Sequence, residues 1–154
     1  MVDPDRDMPA ESASPIPSGS TRWVLLAGLW LCYASFGLVA TSLAPLVPLV
    51  VEELDISHTG MGTVLGAWQF VYIFAAVPCG ALLDRMGPRG AIALGGLLIA
   101  ASALGRSLAT DYVEMLIAVG LFGIGGPIVS AGAPKVVTQL FENSDRGFAM
   151  GIYM

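Results

Sequence analysis

Long apolar runs separated by short charged segments are the main pattern along this chain. No charged residue lies between Arg22 and Glu52, and further apolar runs follow His58, Arg89 and Glu114. A helix that crosses a bilayer needs about 20 mostly apolar residues. The pattern therefore predicts an all-α membrane protein with four full spans and the start of a fifth. The spans are expected at about residues 23–48, 58–83, 89–109, 112–140 and 146–154, the last one incomplete.

Polar residues at the ends of these runs mark where the helices should begin. Ser57, or Asp55 before it, can accept a hydrogen bond from the first turn of the second span. Asp111 and Glu114 resemble a capping box, in which two side chains satisfy free backbone N–H groups at a helix start. We therefore expect the second and fourth spans to begin just after these residues.

Two of the apolar runs depart from a simple spanning helix, the first because of its prolines and the third because of its length. Pro45 and Pro48 fall late in the first span and are expected to kink or loosen it, because proline lacks a backbone N–H. The third run is short and reaches spanning length only if Arg106 extends its charge to the membrane interface. We therefore expect Arg106 to be a snorkelling residue.

The first 21 residues differ from the rest of the chain. They are rich in Pro, Ser and Asp and contain few large apolar side chains. Such a composition cannot bury enough surface to offset the entropy of ordering, so residues 1–21 are expected to be a disordered tail. The acidic start of this segment is unlike a secretory signal peptide.

The positive charges predict the orientation of the spans in the membrane. With a cytoplasmic N-terminus, six of the seven basic residues lie on the cytoplasmic side, as the positive-inside rule expects. The exception is Arg106. The opposite orientation would violate the rule six times, so we predict a multi-pass protein of the cell (plasma or inner) membrane with its N-terminus in the cytoplasm.

The composition excludes several classes of function. The chain has 154 residues, of which 55% are hydrophobic and 12% charged, whereas a soluble domain has about 25% charged residues. A net charge of −5 argues against nucleic-acid binding. His58 is the only histidine, and Cys32 and Cys79 lie in apolar runs with no metal-binding spacing. We therefore expect no enzymatic activity, no cofactor and no metal site.

The segment "GALLDRMGPRG", Gly80–Gly90, places three charges after the second span. One interpretation is a tight turn flanked by ordinary positive-inside residues. The segment also resembles the signature of the major facilitator superfamily, G-x-x-x-D-R/K-x-G-x-R/K-R/K, which lies between the second and third helices. The matching residues are Gly80, Asp84, Arg85, Gly87 and Arg89. Gly90 departs from the signature, since the family usually has another basic residue there.

Other parts of the chain are also similar to this family. "SLAPLVPLV" at the end of the first span, "GLFGIGGP" in the fourth and "LFENSDRGFAMGI" before the fifth resemble its sequences. The family often has an arginine where this chain has Val119, which argues against proton coupling at that position. The glycines of "GIGGP", like the pair Gly62 and Gly66, are expected to allow close helix packing.

The resemblance implies part of the N-terminal six-helix bundle of a twelve-helix transporter, whose C-terminal half is missing. It also implies that the first, second, fourth and fifth helices face a central path, and polar residues there are the candidates. They are Tyr33, Ser35, Gln69, Tyr72, Ser130 and Lys135. The alternative for each is hydrogen bonding or packing within the bundle. Lys135 either attracts an anionic substrate or extends to the cytoplasmic interface.

The function implied is secondary active transport of a small solute by alternating access, with the lipid bilayer as the surrounding partner. The alternative is a non-transporting multi-span module for interaction or assembly. Within the first hypothesis, Asp84 sits at the negative end of the second helix, where a carboxylate needs a compensating donor. Arg85 and Arg89 are the expected donors, and Asp84 is expected to cap a helix of the missing half when the cytoplasmic side is closed.

Overall fold

The computed structural model describes residues 19–141 and 143–153, and all regular structure in this part of the chain is helical. A 3₁₀ turn, Ala44–Leu46, lies between the first two helices. The helices are α1 (Gly19–Thr41), α2 (Val47–Glu53), α3 (His58–Leu108), α4 (Tyr112–Leu140) and α5 (Asn143–Tyr153). The predicted all-α class is confirmed.

Helix α3 is a hairpin of two helical arms. Its 51 residues would extend about 76 Å as a single helix, more than twice the hydrocarbon core. Gly87 breaks the helix with φ 75° and ψ 161°, a conformation open to glycine but strained for other residues. A Cβ on Gly132 of α4 would lie 3.0 Å from Ile92 and 3.5 Å from Leu83, so both arms pack against the same turn of α4. We call residues 58–86 the first arm and 88–108 the second arm.

Three helical stretches are long and apolar enough to cross a membrane: Ser20–Glu53, His58–Leu108 and Tyr112–Leu140. The break at Gly87 gives the second stretch two arms, each reaching the roughly 20 residues that a crossing needs. Helix α4 has the bounds predicted for the fourth span. Helix α1 begins at Gly19, so the end of the predicted tail is helical, while residues 1–18 lie outside the described structure.

The predicted helix caps form. Ser57 Oγ accepts a hydrogen bond from Gly60 N at 3.0 Å at the start of α3. Asp111 Oδ1 accepts one from Glu114 N at 2.8 Å at the start of α4. The Glu114 carboxylate returns to the backbone N–H of Thr110, at 2.8 Å, rather than to that of Asp111. The Ser57 and Asp111 side chains thus satisfy N–H groups in the first turns of α3 and α4 that a helix cannot satisfy internally.

The first span is interrupted near its prolines, as predicted. Helix α1 ends at Thr41, and the 3₁₀ turn and α2 each have a proline in their first turn. Ser42 N still donates to the Leu38 carbonyl at 2.9 Å. In the described part of the chain, Leu43 N forms no such backbone hydrogen bond with the Val39 carbonyl. The interruption leaves carbonyl groups at the end of α1 that need other donors.

Close packing around α4 depends on small residues. A Cβ on Gly123 would lie 2.6 Å from the Trp68 carbonyl oxygen, and one on Gly125 would lie 3.0 Å from the Gly95 carbonyl oxygen. The "GIGGP" glycines therefore allow the close approach that the sequence predicts. Gly62 and Gly66 do not: nothing described lies within 4 Å of a Cβ placed on either. That part of the packing prediction is wrong for this structure, because these two glycines lie on the exposed face of the first arm.

Candidate functional site

The signature segment forms the junction of the α3 hairpin. The first arm carries Gly80 and Asp84 to the end of the bundle, and the chain turns at Gly87. Pro88 favours an extended residue before it, which matches the ψ of 161° at Gly87. Gly80 has open space around it, with nothing described within 4 Å of a Cβ placed there. The segment therefore reverses the chain and leaves one face of the first arm uncovered.

Asp84 pairs with Lys135 of α4. Lys135 Nζ donates to Asp84 Oδ1 at 2.5 Å, and the two side chains are 49% and 68% exposed respectively. The pair joins the first arm to α4 beside the hairpin turn. A cation at this position offsets the repulsion between a carboxylate and the negative end of its own helix.

This geometry corrects the expected partners of Asp84. In the described part of the chain, neither Arg85 nor Arg89 forms an ion pair or hydrogen bond with Asp84, and both side chains are exposed. Lys135 supplies the compensating charge instead. Its ammonium group is bound to Asp84. In this structure Lys135 is therefore neither a free lysine at the interface nor an unpaired cation open to an anionic substrate.

A second group of charged residues holds α1, α4 and α5 together at the same end of the bundle. Arg22 Nη2 lies 3.6 Å from Asp145 Oδ2, and its guanidinium is 5.5 Å from the Phe141 ring centre. Arg146 Nη2 donates to the Thr138 carbonyl at 3.2 Å, in the last turn of α4. Cations in this place complement the negative end of α4.

Two of the predicted path residues meet in the structure. The hydroxyl groups of Tyr72 and Ser130 are 2.8 Å apart and join the first arm to α4. The Tyr72 ring also packs near Gly126, since a Cβ there would lie 3.1 Å from Tyr72 Cδ2. This is the within-bundle hydrogen bond that the sequence left as the alternative, and it brings two polar groups to one place between the helices.

Of the four remaining path candidates, Lys135 pairs with Asp84, and the other three lie apart from both pairs. The ring of Tyr33 lies 5.7 Å from that of Phe36 on α1. Ser35 donates to the Leu31 carbonyl of its own helix at 2.8 Å. Gln69 is exposed on the first arm, and no described residue hydrogen-bonds its side chain. The structure therefore joins Tyr72 and Ser130 and leaves Ser35 and Gln69 on open surface.

Arg106 differs from its prediction as a snorkelling residue. Its Nη1 donates to the Val39 carbonyl of α1 at 2.8 Å, and its guanidinium lies 5.2 Å from the centre of the fully buried Phe122 ring. The side chain therefore points into the bundle. The sequence carried one signal of this, because Arg106 alone among the basic residues violated the positive-inside rule.

Comparison with known proteins identifies the family. A sequence profile described as Major Facilitator Superfamily matches residues 29–154. The chain belongs to this family. The resemblance seen in the signature is thereby confirmed, and the prediction that the chain is not an enzyme is confirmed by relatives that are named as transporters.

Several curated relatives show how much of a complete family member this chain represents. It is 32% identical over 103 residues to a probable L-galactonate transporter of Escherichia coli K12, covering 66% of this chain and 22% of the relative. It is 28% identical over 152 residues to a D-galactonate transporter of Escherichia coli O6:H1, covering 96% and 34%. It is 26% identical over 126 residues to a 4-hydroxybenzoate transporter of Pseudomonas putida, covering 82% and 28%.

The chain thus spans about a third or less of each of these relatives. No solved structure matches it. The apolar helices and the family together place it among multi-pass membrane proteins.

Proposed function

We propose that the chain is the N-terminal part of a secondary transporter that moves a small organic anion across the cell membrane by alternating access. The observation that carries this proposal is the Asp84–Lys135 ion pair at the family signature. It joins two helices at one end of the bundle, where a transporter needs a contact that can form and break. The similarity to transporters named for galactonate and 4-hydroxybenzoate, both carboxylates, supports an anionic substrate.

The proposed substrate path runs between the first arm of α3 and α4. The Tyr72–Ser130 hydroxyl pair supplies polar groups within the bundle, and Lys135 lies on the same helix as Ser130, nearer the ion-pair end. Secondary transporters bind substrate near the bilayer midplane, between two halves that rock about it. The second half would come from the part of the relatives that this chain does not span.

The first test concerns orientation. We expect the 154-residue chain to insert with its N-terminus inside and to cross the membrane four times before α5. Reporter fusions after Ser57, Gly87, Thr110 and Ser144 should then lie outside, inside, outside and inside, because six of seven basic residues favour that arrangement. A cytoplasmic reporter signal at Ser57 would contradict this topology.

The second test concerns transport. In the complete transporter that carries this segment, we expect saturable uptake of D-galactonate or 4-hydroxybenzoate and no uptake of neutral galactose. The 154-residue chain in liposomes should show no saturable uptake, because it would supply only part of the substrate site. Uptake of galactose at the same rate as the anions would contradict the substrate class. Correct insertion of the complete protein without uptake of any solute would favour the non-transporting alternative.

A further inference from the structure

The Arg106 contact lies where the first span loses its helical hydrogen bonds. Helix α1 ends at Thr41, and the Val39 carbonyl lies in its last turn, beyond the reach of the regular ladder. Two side chains donate to this oxygen: Arg106 Nη1 at 2.8 Å and Ser42 Oγ at 3.0 Å. A carbonyl group that has no backbone donor next to apolar surroundings needs donors from side chains. Arg106 thus supplies, from another helix, a donor that the backbone of α1 lacks.

The second arm of α3 holds Arg106 on a fixed base. One turn earlier, Ser102 is fully buried and donates to the Ala118 carbonyl of α4 at 2.7 Å. A Cβ on the neighbouring Gly105 would lie 3.1 Å from the Ala118 Cβ, so the two helices are in close contact there. Arg106 therefore projects toward α1 from a part of the second arm that is tightly joined to α4.

The guanidinium group contacts an aromatic ring of α4. It lies 5.2 Å from the centre of the Phe122 ring of α4, within the distance of a cation–π interaction. The Phe122 ring stacks on Phe36 of α1, with centres 5.1 Å apart and planes at 13°. The Arg106 guanidinium thus contacts α4 at the Phe122 ring and α1 at the Val39 carbonyl. The stacked rings of Phe36 and Phe122 join the same two helices.

We propose that Arg106 is a clamp between helices, a positioning residue that caps the broken end of α1 and holds it against the second arm and α4. The positive guanidinium complements the negative end of α1, and it lies 5.2 Å from the centre of the Phe122 ring. The clamp holds the last turn of α1, just before the 3₁₀ turn and α2. All of its contacts lie within this chain, so it does not depend on the transport proposal.

The test is a distance measurement on the full 154-residue chain in lipid nanodiscs. Spin labels on Leu38 of α1 and Ile117 of α4, both exposed, report the position of the α1 end. Labels on Val77 and Ile117 report the first arm against α4 and serve as the reference pair. Cys32 and Cys79 are replaced by alanine in every sample so that only the introduced cysteines are labelled.

Arg106→Met keeps the aliphatic stem and removes the charge and the donors. Loss of a hydrogen bond to a charged donor is expected to raise the population with a displaced α1 end about tenfold. The Leu38–Ile117 distribution should broaden while the Val77–Ile117 distribution stays unchanged. Arg106→Lys should restore part of the narrow distribution, because it keeps the charge but loses the planar face.

Arg85→Met is the matched control, since Arg85 is an exposed arginine of the same hairpin with no hydrogen bond in the described structure. It should leave both distributions unchanged. The proposal is overturned if Arg106→Met matches the parent chain, or if both pairs broaden equally, which would show general loosening. Should Arg106→Met fail to give monodisperse protein, the parent is compared with Arg106→Lys and Arg106→Gln, and equal distributions in all three overturn the clamp.

Discussion

Gly123→Ala is expected to destabilise the bundle strongly, because it adds a methyl group where two helices are in contact. The new Cβ would lie 2.6 Å from the Trp68 carbonyl oxygen and 2.8 Å from the Val71 Cβ. Neither atom is the end of a flexible side chain, so α4 and the first arm of α3 would have to move apart. Overpacking of this kind costs about 1–3 kcal/mol.

Gly66→Ala is the matched control for this change. Gly66 is also helical, but nothing described lies within 4 Å of a Cβ placed there. Alanine in an open helical position should keep or raise stability, by up to about 1 kcal/mol, because glycine loses more conformational freedom on folding. Unfolding by sodium dodecyl sulfate, followed by far-UV circular dichroism, measures both variants. Equal midpoints for the two variants would contradict the close packing at Gly123.

Much of the helix arrangement could be predicted because its signals are local. Helix α4 runs from Tyr112 to Leu140, as predicted, since Asp111 and Glu114 cap its start and an apolar run follows. The start of α3 after Ser57 and the interruption of the first span near Pro45 follow from equally short-range chemistry. Each of these features depends on residues within one or two turns.

The partners of the charged residues could not be predicted in the same way. Lys135 lies 51 residues from Asp84, and their contact depends on how α4 packs against the first arm. Arg85 was the nearer choice in sequence, but adjacent residues on a helix do not face each other. Arg89 lies beyond the turn at Gly87, on the other arm. Sequence distance was therefore a poor guide to charge pairing.

Arg106 shows the same limit for a contact with the backbone. Its partner is a carbonyl oxygen, which every residue has and which no sequence pattern marks. The Val39 oxygen lacks a backbone donor because α1 stops at Thr41, and that end was predicted only as a kink or loosening near Pro45 and Pro48. The contact between Arg106 and Val39 forms because α1 and the second arm lie side by side, and that arrangement depends on tertiary packing.

Asp84→Asn is expected to reduce transport strongly in the complete transporter without unfolding this segment. The pair with Lys135 is exposed in the described structure, and exposed ion pairs contribute about 0–1 kcal/mol to stability. The second carboxylate oxygen, Oδ2, has no hydrogen-bond partner among the described residues. We propose that it caps the N-terminus of a helix in the other half when the cytoplasmic side is closed.

Loss of that charged hydrogen bond is expected to shift the equilibrium toward the inward-open state about ten- to a hundredfold. Uptake should fall accordingly, and alkylation of a single cysteine at Val77 should become faster. Val77 is exposed on the first arm, two turns before Asp84. The other cysteines are replaced by alanine, and Gly66→Ala serves as the control for a change on the same arm that leaves the pair intact.

Exchange of the two charges separates a helix cap from a simple ionic link. Asp84→Lys combined with Lys135→Asp preserves an ion pair but removes the carboxylate from position 84. We expect this double variant to stay as impaired as Asp84→Asn, because a lysine cannot accept hydrogen bonds from a helix N-terminus. Lys135→Arg should keep most of the uptake, since it retains a cation for Asp84. Normal uptake in the exchanged variant would show that only the pairing matters and would contradict the capping role of Asp84.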